Sequence, residues 1–302
     1  MPEKKLNIGV VGITGGWSSD KLADAVASQT GSRLLIDMAG IEARLSTGEV
    51  LYNGLDLSTL DAIMVKKINS MYSPNDLDRL EILRFLQARG VRVFSRPENI
   101  MRLIDRLACT VTLRSAGIPM PQTVITEDVS LAQKAVMDLG RVVLKPLYST
   151  KARGMIIVDS KEADSAHKIS DFKQDHCVMY IQQMIDIPGR DLGVVFLGGR
   201  YLATYARQGS DDSWNTTINS GGHYAAYEPS EEIIKLAHRA QAPFKLDFTC
   251  VDVVETASGP MVFEVSAFGG YRGLQNAHGI DAAALYTRYV IECLQRKQPE
   301  EA

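Results

Sequence analysis

The run Cys250-Val251-Asp252-Val253-Val254-Glu255, a turn over residues 256–260, and Met261-Val262-Phe263-Glu264-Val265-Ser266 constrain the fold more than any other segment. Two apolar runs of strand length around a short turn containing Gly259 and Pro260 read as neighbouring antiparallel strands. With the turn centred on Ser258, Asp252 falls directly opposite Glu264. Period-two alternation then places Val251, Val253, Phe263 and Val265 on an apolar face. Asp252 and Glu264 share the other face, with β-carbons roughly 4.5–5.5 Å apart. Opposed carboxylates repel, and burial makes this worse. The pair could be incidental acids on a solvated sheet face, an acid/base pair, or ligands of a divalent cation. Mg2+ suits the arrangement best, because it takes one or two carboxylates together with waters and phosphate oxygens.

At 302 residues the chain exceeds the usual size of a single core, so two or three domains are expected. The first 97 residues alternate strand and helix. An apolar strand over 6–11 runs into Gly12-Ile13-Thr14-Gly15-Gly16-Trp17, a helix over 20–28 follows, and Gly31 stops it. The glycines lack the G-x-G-x-x-G spacing of a dinucleotide site and read instead as a tight turn. Further strands are expected over 33–37, 62–65 and 91–94. A helix is expected to begin with Ser73 as its cap, Pro74 in its first turn and Asp76 three residues on. These units predict a small parallel three-layer domain. Residues 100–111 then predict one long amphipathic helix, stopped by Gly117-Ile118-Pro119. Strands over 123–125, 141–145, 155–158 and 178–183 predict a small α+β lobe. After Pro188-Gly189 the chain is strand-rich to residue 228, followed by a helix capped by Ser230, the acidic hairpin and a final helix. The expected division is 1–97, 98–184 and 185–302.

The net charge of -3 gives no global basic field for nucleic acid or an anionic membrane. No apolar run is long enough to span a bilayer, and the first residues carry no signal-peptide core. Cys109, Cys177, Cys250 and Cys293 form no C-x-x-C pair and read as reduced thiols. A cytoplasmic protein is expected, with neither nucleic acid nor membrane as a partner.

Two basic features precede the acidic hairpin. Lys145 ends the apolar strand Val142-Val143-Leu144, so its ammonium needs an anion or an exposed tip. Tyr148-Ser149-Thr150-Lys151-Ala152-Arg153-Gly154 follows. It is either a plain surface hairpin or a cationic, hydroxyl-rich loop able to close over phosphates with Ser149, Lys151 and backbone N–H groups.

The order of these pieces over residues 60–295 resembles the ATP-grasp superfamily, and within it the RimK-like carboxylate–amine ligases. Val93-Phe94-Ser95-Arg96-Pro97, Asp105-Arg106 and Ala116-Gly117-Ile118-Pro119-Met120-Pro121 stand where that family has its N-x-P, D-K and GIP-x-P run. The resemblance implies an α/β and α+β protein, with an N-terminal parallel α/β (pre-ATP-grasp) domain and two α+β lobes clasping ATP. Arg106 takes the place of a phosphate-binding lysine, and Lys145 matches the second one. Residues 180–185 resemble the hinge that holds adenine through backbone groups, with Gln182, Gln183, Met184 and Ile185 at its core. Asp191 matches the acid that bonds the ribose, Arg207 a catalytic arginine near phosphates and acceptor, and Asp252, Glu264 and Ser266 the metal ligands. Residues 264–273 also resemble the GAK-system ATP-grasp subgroup.

The implied cofactors are ATP and Mg2+, with Mn2+ as an alternative ion. The implied partners are a small-molecule or peptide carboxylate and an amine acceptor, in a homo-oligomer. Arg272, in a glycine-rich stretch past the second acidic strand, is either a surface arginine or a catalytic grip on an acceptor carboxylate. His223 is either structural or part of an acceptor pocket. The sequence departs from the family at Gln183, Gly193, Ser149, Ala152 and Ser266, and Thr217, flanked by Asn215 and Asn219, replaces an asparagine. Two rival expectations remain: an ATP-grasp kinase acting on a hydroxyl, and a nucleotide-binding regulator without turnover.

Overall fold

A computed structural model describes residues 5–209 and 221–296. Strand β1 (Ile8–Val11) turns through Gly12 into α1 (Trp17–Thr30). A Cβ on Gly12 would lie 2.6 Å from that of Ser19, so the turn requires glycine there. Gly31, in the left-handed region at φ 76°, stops the helix. Leu22, Ala23 and Val26 are fully buried, each large aliphatic contributing about 1.5–3 kcal/mol. Strand β2 is only Leu35–Ile36.

A small antiparallel sheet absent from the sequence reading comes next: β3 (Ile41–Arg44), β4 (Glu49–Tyr52) and β5 (Leu55–Asp56). The chain then returns to β6 (Ala62–Val65), α2 (Asn75–Ala88) and β7 (Arg92–Phe94). Strands β2-β1-β6-β7 form an all-parallel sheet in that order. Ser73 does not cap α2 with its hydroxyl, as the sequence suggested. Pro74 is the cap residue, and the buried Asp76 carboxylate reaches back to accept from the Ser73 amide at 2.8 Å.

The expected long helix is two. Between α3 (Pro97–Ile104) and α4 (Arg106–Ser115), Asp105 is extended at φ -94°, ψ 123°, and its carboxylate accepts from the Leu107 amide at 2.8 Å. An aspartate able to cap restarts the helix even though the apolar spacing runs on without a gap. Strand β8 (Thr123–Thr126), α5 (Val129–Leu139), β9 (Arg141–Lys145), β10 (Ile156–Asp159), α6 (Ser165–Asp175) and β11 (Met179–Gln183) follow. Their strands pair antiparallel in the order β10-β9-β11-β8.

The last sheet comprises β12 (Arg190–Leu197), β13 (Arg200–Gln208), β14 (His223–Ala226), β15 (Phe248–Thr256) and β16 (Gly259–Ser266). It is antiparallel in the order β14-β13-β12-β15-β16 and carries α7 (Glu231–Gln241), which Ser230 caps as expected. Helices α8 (Tyr271–His278) and α9 (Ala282–Gln295) follow it.

In the acidic hairpin Asp252 does pair with Glu264, but a bulge assists. Thr256 pairs with Gly259 and Val253 with Val262, which leaves Phe263 as the extra residue. The bulge corrects the offset of the tighter turn and lets Phe263 and Glu264 both line the same cavity. Phe263 therefore does not lie on the apolar face assigned to it by alternation; Val262 is buried there instead.

Among the described residues, buried apolar side chains form three clusters. One gathers residues between 132 and 181, within the β8–β11 sheet and its helices. The other two each join the parallel sheet to the C-terminal sheet: Val10 and Leu22 share a cluster with Phe248 and Tyr286, and Ile63 and Leu80 share one with Val194 and Phe244. Among the described residues no helix is long and apolar enough to cross a membrane.

Candidate active site

Where the three large sheets meet, a cavity of about 1070 Å3 is lined by residues from each. Its acidic wall is β15 and β16. Asp252 is largely buried, and burial pushes its carboxyl up to about 7; Arg207 opposes that shift, while Glu264 and Asp191 add to it. Arg207, from β13, spans two acids. Its guanidinium Nε donates to Asp191 at 2.9 Å, its Nη2 also meets Asp191, and Nη2 lies 2.9 Å from Asp252. The three pair across neighbouring strands, Asp191 with Arg207 and Asp252 with Gly193. A Cβ at Gly193 would lie 2.3 Å from the Tyr205 ring, so that ring fills the space a side chain would need there.

The basic wall comes from the middle of the chain. Arg106, first residue of α4, donates to Glu264 at 2.9 Å, to the Ser149 hydroxyl at 3.2 Å and to the Pro146 carbonyl at 3.2 Å. The Asp105 cap fixes this position, so the helix break serves the site. Lys145 donates to the Gln182 side chain at 2.5 Å and stands 5.5 Å from the Phe263 ring. Burial, with Arg106 nearby, pushes its ammonium down to about 7, Glu264 opposing. In the following loop Lys151 and Ala152 hold left-handed φ values of 59° and 57°. Ala152 thus sits where a glycine would be unstrained. Arg153 donates to the Ser70 carbonyl at 3.4 Å, so the loop touches the segment after β6.

Gln182, Gln183, Met184 and Ile185 all line the cavity. The amides of Gln183 and Met184 donate to the carbonyls of Gln122 and Arg141, at 2.8 and 2.9 Å, which anchors the end of β11. Arg272 is the second residue of α8 rather than part of a loop, with its guanidinium 4.8 Å from the Trp17 ring centroid. Ser266 lines the cavity, and its hydroxyl accepts from the Phe268 amide at 3.3 Å. His223 is exposed at the start of the edge strand β14, outside the cavity wall. Asn215, Thr217 and Asn219 lie outside the described residues.

Several cavity residues escaped the sequence reading. Lys66 is buried, donates to the Phe268 carbonyl at 2.6 Å and lies 3.8 Å over the Tyr271 ring. Lys67, Trp17, Tyr72 and Phe263 also line the wall. The signal for Lys66-Lys67 was available: two cations ending an otherwise apolar strand, as Lys145 ends β9.

The donor set suits a hard divalent ion. Asp252 and Glu264 are directly paired, Ser266 lies two residues further along β16, and the carboxyl of Asp252 is raised first by burial, with the negative charges of Glu264 and Asp191 adding to it. Among the described residues no three His, Cys, Asp or Glu side chains gather for a metal. An ion held here would complete its shell with water or phosphate oxygens, which is the usual habit of Mg2+.

Comparison with known proteins agrees with this geometry. The RimK-like ATP-grasp domain matches residues 104–290. A tetrahydromethanopterin:alpha-L-glutamate ligase of Methanosarcina acetivorans is 25% identical, covering 92% of this chain and 95% of its own. An ATP-grasp ligase, PsnB, solved with a phosphomimetic variant of its minimal precursor, Mg and ADP, superposes with a TM-score of 0.74 at 16% identity, covering 96% of this chain and 99% of its own. A RimK domain ATP-grasp protein from Sphaerobacter thermophilus superposes with a TM-score of 0.72 at 21% identity, covering 94% and 99%.

Proposed function

The chain belongs to the RimK-like ATP-grasp family, and from that premise we propose that it is an ATP- and Mg2+-dependent ligase joining a carboxylate to an amine. The observation that carries this is the facing of walls across one cavity, the Asp252–Glu264 pair against Arg106 and Lys145. Its relatives support the same chemistry, one named a glutamate ligase and one solved as an ATP-grasp ligase with Mg and ADP.

Asp252, Glu264 and Ser266 would hold Mg2+ or Mn2+, which when bound supplies positive charge to phosphate oxygens. Lys145 and Arg106 neutralise the phosphates from the opposite wall, and Ser149, Lys151 and the loop backbone cover them. Gln182, Gln183, Met184 and Ile185 form the base pocket. Asp191 faces the ribose, while its pairing with Arg207 holds that arginine beside Asp252. Arg207 and Arg272 then orient the acid and its acceptor. An oxygen of the acid attacks the γ-phosphorus and ADP leaves, giving an acylphosphate. The amine attacks the acyl carbon, phosphate leaves, and the amine sheds a proton. Positioning and charge supply most of the catalysis, so no histidine or serine nucleophile is needed.

One observation favours a second reading: the lysines beyond β6 give the cavity a more basic acceptor side than the sequence suggested, as a kinase acting on a hydroxyl would have. Product analysis separates the two. A ligase releases ADP and phosphate only when acid and amine are both present; a phosphorylated product without free phosphate would establish the kinase instead. Asp252→Asn and Glu264→Gln are expected to abolish metal-dependent ADP release while the protein stays folded by circular dichroism. Unchanged ADP release in both would remove the metal assignment.

A further inference from the structure

Six cations line the cavity without a carboxylate partner among the described residues: Lys66, Lys67, Lys145, Lys151, Arg153 and Arg272. In a chain of net charge -3 this local excess calls for bound anions. Nucleotide phosphates account for Lys145 and the loop that carries Lys151 and Arg153. They leave Lys66 and Lys67 without a role, together with Arg272, which the ligase reading gives to the acceptor rather than to the nucleotide.

All three line the same cavity. Lys66 and Lys67 directly follow β6, and the turn between β1 and α1 lies beside them, since β6 and β1 are neighbours in the parallel sheet. β1 has β2 on one side and β6 on the other, so the chain changes direction across the sheet at this point. Open parallel sheets bind ligands in the crevice outside the strand ends at such a reversal. Gly16 and Trp17 line the cavity here, and the Arg272 guanidinium lies 4.8 Å from the Trp17 ring centroid.

Lys66 is packed behind, its ammonium shared between the Phe268 carbonyl and the Tyr271 ring. Lys67 is half-buried and makes no ion pair or side-chain hydrogen bond with any described residue. Burial first, then the charges of Lys151 and Arg153, lower its affinity for a proton. A cation held half out of water among other cations is unfavourable until an anion joins it. Trp17, Lys66 and Lys67 also fall outside residues 104–290, the span matched by the RimK-like ATP-grasp domain.

We propose that Lys67 and Arg272, backed by Lys66, bind a negatively charged group of the co-substrate, a carboxylate or phosphate remote from the bond being made. The parallel sheet would thus select the substrate while the two antiparallel sheets run the ATP chemistry. This inference rests on the ligase reading.

The test is calorimetric titration of the full chain, saturated with Mg2+ and a non-hydrolysable ATP analogue, with glutarate, glycerol phosphate and neutral glutaramide. At least one anion is expected to bind and glutaramide is not, the carboxylate and phosphate arms showing which chemistry the wall prefers. Lys67→Gln and Arg272→Gln, on different elements, should each weaken the anion about tenfold or more, while Lys67→Arg retains it. Both glutamine variants should keep the thermal stabilisation by Mg·ATP, which shows that they fold and hold nucleotide. Anion binding no better than glutaramide, or unchanged in both variants, would overturn the subsite. Loss of Mg·ATP stabilisation in the unaltered protein would instead overturn the ligase reading beneath it.

Discussion

Arg207 lies between two carboxylates, and its removal should cost more than the loss of one side chain. Asp191 and Asp252 are both largely buried, and the guanidinium bonds each of them. Deleting one member of a buried charge group typically costs about 3–5 kcal/mol, because the remaining charges lose their compensation. Arg207→Ala should therefore lower Tm strongly in metal-free buffer. The direction with pH follows from linkage. Asp252 is already raised by burial against the opposition of Arg207; without the guanidinium it would bind its proton still more tightly in the folded state than in the unfolded chain, so more stability is lost as pH rises above its unfolded value. The deficit relative to wild type should be larger at pH 8 than at pH 5. A deficit independent of pH would show that Arg207 acts by packing rather than charge. Asp252, Glu264 and Lys145 were legible in the sequence because a charge on an apolar strand must find a partner, whereas Asp191 entered only through the family resemblance. The arginine's double engagement was not, since it depends on the β12–β13 register.

At the scale of elements, two irregularities matter most, and periodicity could not show either. The break at Asp105 interrupts a spacing that reads as continuous helix through Ile100, Leu103, Ile104 and Leu107. It places Arg106 at a helix start, within reach of Glu264 and Ser149. Asp105→Ala should cost about 1 kcal/mol of stability through the lost cap. It should also weaken Mg·ATP binding by thermal shift, whereas Asp105→Ser, which can still cap, should preserve both. Equal Tm for Asp105→Ala and wild type would count against the cap. The bulge at Phe263 is the second irregularity. The turn is one residue tighter than a centre at Ser258, and the extra residue restores the predicted pairing of Asp252 with Glu264. The acid pair was read correctly by an incomplete route, and Phe263 was assigned to the wrong face for the same reason. The β3–β5 sheet was missed because its strands are two to four residues long and mostly half-buried, so they lack a strong apolar pattern.

In the whole molecule, the parallel sheet and the C-terminal sheet are joined by shared apolar clusters, while the β8–β11 sheet keeps a cluster of its own. The cavity opens among all three. Sequence order was enough to anticipate the three sheets and which walls carry acid and base, because strand type follows local pattern. It could not show that Lys66 and Lys67 enter the same cavity as Glu264, since roughly two hundred residues separate them and only the packing of sheets brings them together. In the ligase reading, an acid is activated by phosphorylation within this cavity. The most direct test of that reading supplies Mg·ATP, an amine and an acid whose carboxylate carries oxygen-18, and follows the released phosphate by phosphorus NMR. A carboxylate oxygen should pass into the inorganic phosphate as the amide forms. Amide formation with wholly unlabelled phosphate would contradict the acylphosphate route.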